Sequence, residues 1–150
     1  MSHIEFENTQ GATMNFGNFG SVELQMLWLS IVLGAFQLAL ATLVGAFAGR
    51  TPWALGPRDE GSPSYGKLFG RLDRAFINFV ETFAFFAAAV LLARALGKHS
   101  LLSERGAQLY FWARVVYVPV YALGISGLRT LVWIASFAGI VMVLWAIYPG

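Results

Sequence analysis

The amino-acid sequence predicts an all-α integral membrane protein, an up-down four-helix bundle, and three observations carry that prediction. Composition is the first. Of 150 residues, 57% are hydrophobic and 12% charged, with a mean hydropathy of +0.63, whereas a soluble domain carries roughly 25% charged residues. The second is four apolar stretches of spanning length, at about 22–48, 73–96, 104–123 and 128–148, each near the ~20 residues that cross a bilayer as a helix. The third is the brevity of two connections, Gly97–Ser103 and Gly124–Gly127, which makes the helices they join antiparallel neighbours.

The elements follow in order. Residues 1–20 are rich in Asn, Gly and Thr, carry Glu5 and Glu7, and show no amphipathic period, so they read as a mobile arm before a single domain at 21–150. Ser21 is placed to cap the first helix, whose one charge is Glu23 at its outer end. Ala46-Phe47-Ala48 resembles a signal-peptidase site. The apolar run before it is too long, and no positive n-region precedes that run, so the first span reads as retained. Gly49–Gly70 contains Pro52, Pro57 and Pro63 and is expected to be a loop with turns rather than a helix. The second span carries Asn78 and Glu81, and the third, which Ser103 can cap, carries Arg114. The fourth holds no charge beyond Arg129 in its first turn.

Charge and residue usage narrow the function. The net charge is +2 with scattered basic residues, so no cationic stripe for nucleic acid forms. There is no Cys, and His3 and His99 both fall outside the spans, which argues against a metal site, a disulfide or a protein thiol nucleophile. Arg50, Arg58, Lys67, Arg71, Arg74 and Arg129 flank one side of the spans, against Arg94, Lys98 and Arg105 on the other. That bias of six to three places both termini outside and the first loop in the cytoplasm, in the inner (cytoplasmic) membrane.

The most informative residues are Arg74, Asn78 and Glu81, whose spacings of four and three put them on one face of the second span. A carboxylate at bilayer depth costs about 2.5 kcal/mol or more unless it faces protein. On the third span Tyr110, Arg114, Tyr117 and Tyr121 share a face in the same way. A rise of 1.5 Å per residue puts Glu81 and Arg114 at comparable depth, roughly 10 and 13 Å from the same side, so each is expected to partner the other. Arg129 occupies the first turn of the fourth span, where the macrodipole disfavours a cation by about 0.3–1 kcal/mol. Free backbone N–H groups, the Arg129 fork and the Thr130 hydroxyl describe a site for an anion: a carboxylate, a thiolate or a lipid phosphate. Plainer readings stand beside these. Arg74 and Arg129 serve as headgroup anchors, Asn78 as interhelical glue, Glu81 with Arg114 as a structural pair, and Tyr117 and Tyr121 as an aromatic belt. The five Trp residues, Trp133 among them, read as lipid- or interface-facing.

Arg74-Ala-Phe-Ile-Asn78-Phe-Val-Glu81-Thr, Arg114-x-x-Tyr117-x-x-x-Tyr121 and Leu128-Arg129-Thr130 resemble the second helix, third helix and fourth-helix start of the MAPEG superfamily, the membrane-associated proteins of eicosanoid and glutathione metabolism. Gly56-Pro-Arg-Asp59 and Gln108-Leu-Tyr-Phe-Trp-Ala-Arg-Val-Val-Tyr117 resemble its bacterial branch. The resemblance implies a homotrimer with sites between subunits near the cytoplasmic face. It also implies glutathione as thiol co-substrate, held by Arg74, Asn78, Glu81, Arg114, Tyr117 and Tyr121, with its thiolate stabilised by Arg129 beside Thr130. The tripeptide carries two carboxylates and one ammonium, which matches several cations and one carboxylate. Phe76 and Ile77 stand where some members carry His and a second Arg, and Trp133 where they carry an aromatic hydroxyl.

Three functions follow. The first is a glutathione transferase or peroxidase acting on lipophilic electrophiles from the bilayer. The second is a non-catalytic trimer that binds lipid or a partner helix, favoured by the missing cation at Ile77. The third is a small transporter with Glu81 as proton-coupling carboxylate, disfavoured by the lack of an internal repeat.

Overall fold

The computed structural model describes residues 20–57, 59 and 66–148. Among the described residues the chain is all-helical: α1 Val22–Phe47, α2 Thr51–Leu55, α3 Lys67–Ala95, α4 Leu101–Leu123 and α5 Ser126–Ile147. The expected arm at residues 1–20 lies outside the described residues save for Gly20.

Three helices, α1, α3 and α5, are long and apolar enough to cross a membrane. Helix α4 has the length, 23 residues, but Gln108, Tyr110, Arg114, Tyr117 and Tyr121 are spread along it, so it lacks the long apolar stretch of the other three. It is also the most enclosed, packing along α5 above all and also on α1 and α3. Tyr110, Arg114 and Tyr117 are thereby buried.

Several boundaries differ from expectation, each for a local reason. Ser21 does cap α1, its hydroxyl accepting from the Leu24 N–H at 3.4 Å. The cap of α4 is Ser100, not Ser103. Ser100 accepts from the Ser103 N–H at 3.2 Å while the Ser103 hydroxyl accepts from the Ser100 N–H at 3.0 Å, a reciprocal capping box. Helix α3 starts at Lys67, well before the apolar run, because its first two turns (Lys67, Arg71, Asp73, Arg74) form an amphipathic extension. The stretch after Gly49 is not all loop: α2 forms with a proline in its first turn, where the missing N–H costs nothing. The α4–α5 connection is only Gly124 and Ile125. Gly124 takes the left-handed conformation that ends α4 (φ 81°).

Glycine and aromatic residues set the helix approaches. The Phe79 ring lies 2.6 Å from where a Cβ on Gly34 would sit, and the Phe69 ring 2.8 Å from the same point on Gly45. Two α1 glycines therefore receive two α3 rings, in antiparallel order. Helices α4 and α5 approach most closely at Gly106 and Gly139, where an added Cβ would meet backbone at 2.6–2.7 Å. Phe86 and Tyr110, both fully buried, stack at 4.0 Å between α3 and α4.

Glu23, in the first turn of α1, is buried, at 1% exposed. Its Oε1 accepts from the Ser103 hydroxyl and lies 3.5 Å from His99 Nδ1, tying the first turn of α1 to the first turn of α4. That position also suits a carboxylate, because it faces the positive end of α4.

The Gly106–Gly139 contact makes a direct prediction. Gly139→Ala should destabilise the protein by about 1–3 kcal/mol through overpacking against backbone that cannot yield. Gly127→Ala, where a Cβ meets nothing within 4 Å, should be neutral or stabilising by up to about 1 kcal/mol. Thermal unfolding of the two variants in detergent compares them directly.

Candidate functional site

The candidate site lies where the first half of α3, the second half of α4 and the start of α5 meet. Arg114 is its anchor, 1% exposed. Its Nη1 donates to Asn78 Oδ1 at 3.0 Å and its Nη2 to the Thr82 hydroxyl. Thr82 Oγ1 in turn bonds the Phe79 carbonyl at 3.1 Å and meets the Tyr110 hydroxyl at 3.4 Å. The guanidinium lies 5.6 Å from the Tyr110 ring and 5.2 Å from the Tyr117 ring, one helical turn away on either side.

Arg114 and Glu81 do not pair. Arg114 turns to Asn78 and Thr82, and Glu81 is exposed on the surface of the single chain, with no ion pair to Arg114 among the described residues. Thr82, four residues beyond Asn78, is the partner the sequence reading missed. The spacing signal was present, but a threonine in an apolar helix reads as neutral until a donor faces it.

Beside this network a cleft of about 160 Å³ is lined by Asn78, Tyr117, Arg129, Thr130 and Trp133. Arg129 is half-buried, with its guanidinium 4.8 Å from the Tyr121 ring, and Tyr121 packs on Tyr117 at 5.4 Å. The Arg129 N–H is already used, donating to the Ile125 carbonyl at 3.1 Å. Ile125 offers no side-chain cap to the start of α5. The Thr130 hydroxyl donates back to the Ser126 carbonyl at 3.3 Å, so its lone pairs rather than its proton face outward. Trp133, read from the sequence as lipid- or interface-facing, lines the cleft and stacks on Phe137 at 5.6 Å. It follows Arg129 at the i+4 spacing that shares a face.

Six of the eight sequence-derived site residues therefore gather here: Asn78, Arg114, Tyr117, Tyr121, Arg129 and Thr130. Arg74 and Glu81 stay on the same α3 surface but exposed. Arg71, not expected at the site, donates to the Ala122 carbonyl at 2.9 Å and braces the end of α4 against α3.

A sequence model of the MAPEG family matches residues 24–148. The chain belongs to the MAPEG family. It is accordingly a membrane protein of the superfamily associated with glutathione and eicosanoid metabolism. No curated protein and no solved structure matches it.

The Arg114 network predicts a specific coupling. In a double-mutant cycle, Asn78→Ala and Arg114→Leu should interact by about 0.5–3 kcal/mol, since the first change leaves a buried donor unpaired and the second removes that donor. Glu81→Leu and Arg114→Leu should be additive within about 0.5 kcal/mol. Unfolding in detergent reads both cycles, and additivity of the Asn78–Arg114 pair would sink the assignment.

Proposed function

We propose that the protein is a glutathione-dependent enzyme of transferase or peroxidase type acting on lipophilic electrophiles, with Arg129 stabilising the thiolate. The observation that carries this reading is the cleft in which Arg129 stands beside the uncapped start of α5 with Asn78, Tyr117, Thr130 and Trp133 around it. A guanidinium and the positive end of a helix dipole together lower the pKa of a bound thiol, and the thiolate is the nucleophile. Arg74 and Arg129 are the cations with open faces, suited to carboxylates, and Glu81 suits the ammonium. Arg114, sealed from the surface, holds Asn78 and Tyr117 in position. Trp133 and Phe137 continue the cleft as an apolar wall along α5 toward the bilayer, which suits an electrophile arriving from lipid. In conjugation with a halo-nitroarene, a carbon–sulfur bond forms, the halide leaves with its bonding pair, and the thiol proton passes to water.

Two features support assembly around this site as a homotrimer of four transmembrane helices. The cleft in one chain, about 160 Å³, is smaller than the roughly 300 Å³ at which small-molecule sites begin. The exposed Glu81 would also face hydrocarbon unless another surface covered it. A neighbouring copy meets both needs, with both termini outside, the first loop cytoplasmic, and α4 as the fourth span of the cytoplasmic membrane. Native mass spectrometry in mild detergent should then give three copies, and a stable monomer would count against the arrangement.

The catalytic claim has its own test. Adding glutathione to the purified protein at neutral pH should produce the ultraviolet absorbance of a thiolate. Arg129→Leu should abolish it and lower kcat for a halo-nitroarene by about 100-fold, with tripeptide binding largely retained. Arg129→Lys should recover part, keeping the charge and losing the planar fork. Absence of thiolate in the unaltered protein would leave the non-catalytic binding reading, which the replacement of a cation by Ile77 favours.

A further inference from the structure

At the opposite ends of α3 and α5 from the thiol cleft, a groove of about 380 Å³ is lined by Leu92, Leu96, Lys98, Leu144, Ile147 and Tyr148. Apart from Lys98 and Tyr148, these side chains are aliphatic. We propose that this groove is a binding site for an anionic phospholipid, with one acyl chain against Leu92, Leu96 and Leu144 and the headgroup phosphate on the Lys98 ammonium.

Four observations carry the assignment. Lys98 is held rather than loose. Its N–H donates to the Ala93 carbonyl at 3.0 Å, after Gly97 takes a left-handed turn (φ 62°). Its Nζ donates to the Ile147 carbonyl at 3.0 Å, the last residue of α5. An ammonium has three donors, so two remain for a phosphate. The negative end of α5 fixes the charge at the mouth of the groove. Second, the charges around this end favour an anion: Arg94 and Arg105 are exposed and Glu104 is half-buried, while Glu23 is buried. Third, Trp145 and Tyr148 are 72% and 73% exposed and stack at 6.3 Å, an aromatic pair of the kind that sits at headgroup level. That level places Lys98 at the phosphates and the leucines below it in hydrocarbon. Fourth, the leucines lie on the acyl side: Leu92 on α3 and Leu96 at its C-cap are one turn apart, and Leu144 lines the groove from α5. The groove holds the geometry of a lipid, with charge at the interface and apolar wall beneath. It is independent of the thiol reading, because no residue is shared with the cleft at Arg129.

The test uses the full-length protein purified in detergent and titrated with phosphatidylglycerol or with diacylglycerol of the same chains, bound lipid being counted by native mass spectrometry. One phosphatidylglycerol per chain should be retained in preference to diacylglycerol. Lys98→Glu should weaken that retention by about tenfold or more, and Lys98→Arg should preserve it. Leu92→Trp, a change at a half-exposed position that fills the groove, should displace the lipid while leaving helicity and the thermal transition unchanged. Equal retention of the two lipids would overturn the proposal, as would indifference to Lys98→Glu. A shift in the number of associated chains on Leu92→Trp, with no lipid bound to the parent protein, would assign the groove to a contact between copies and overturn it equally.

Discussion

The arrangement of α3 against α4 depends on one buried cation. Arg114 is enclosed between apolar helices, where an unpaired charge would cost several kcal/mol. It becomes tolerable because α3 presents an amide oxygen and a hydroxyl one turn apart, Asn78 and Thr82. The fork of a guanidinium fits two acceptors at that spacing, and a slide of α3 along α4 by a single turn would break both bonds. The pair therefore sets the register of the two helices. With that register set, Asn78 reaches the cleft, Tyr117 packs below the guanidinium, and Arg71 meets the end of α4 at Ala122.

Hydropathy made the helical membrane class legible, because bilayer thickness is written into the length of apolar runs. It did not locate helix ends, since backbone hydrogen bonding continues past the apolar stretch wherever side chains allow. Helix α3 gains two charged turns in this way, and α4 begins at the serine three residues before the expected one. The candidate site was legible as faces and depths, which place residues along an axis. Direction around the axis was harder. At about 100° per residue, Glu81 and Thr82 lie roughly 60° and 40° to opposite sides of Asn78. A charge-pairing argument chooses the carboxylate, whereas the packing of α4 brings Arg114 to the hydroxyl side.

Glu23 shows the same limit at the other end of the molecule. From the sequence, Glu23 is simply the one charge at the outer end of an apolar helix. Only the turn between α3 and α4, folded back across it, reveals that Ser103 and His99 close over its Oε1. No pattern within α1 carries that information, because the partners come from eighty residues away in the chain. Trp133 reads as lipid- or interface-facing because indole is common at membrane surfaces, and it also lines the cleft because it shares the Arg129 face of α5.

The contact at Gly139 has a mechanical consequence. Helix α5 meets backbone there, and near its end the Ile147 carbonyl is tied to Lys98. Its beginning follows a two-residue turn and has no side-chain cap. Arg129 stands ten residues before that contact, about 15 Å along the axis. The contact is thus a fulcrum and the first half of α5 an arm. A bend of about 5° at Gly139 would carry Arg129 by roughly an ångström over that 15 Å lever, enough to make or break a hydrogen bond at the cleft while the half tied to Lys98 stays in place.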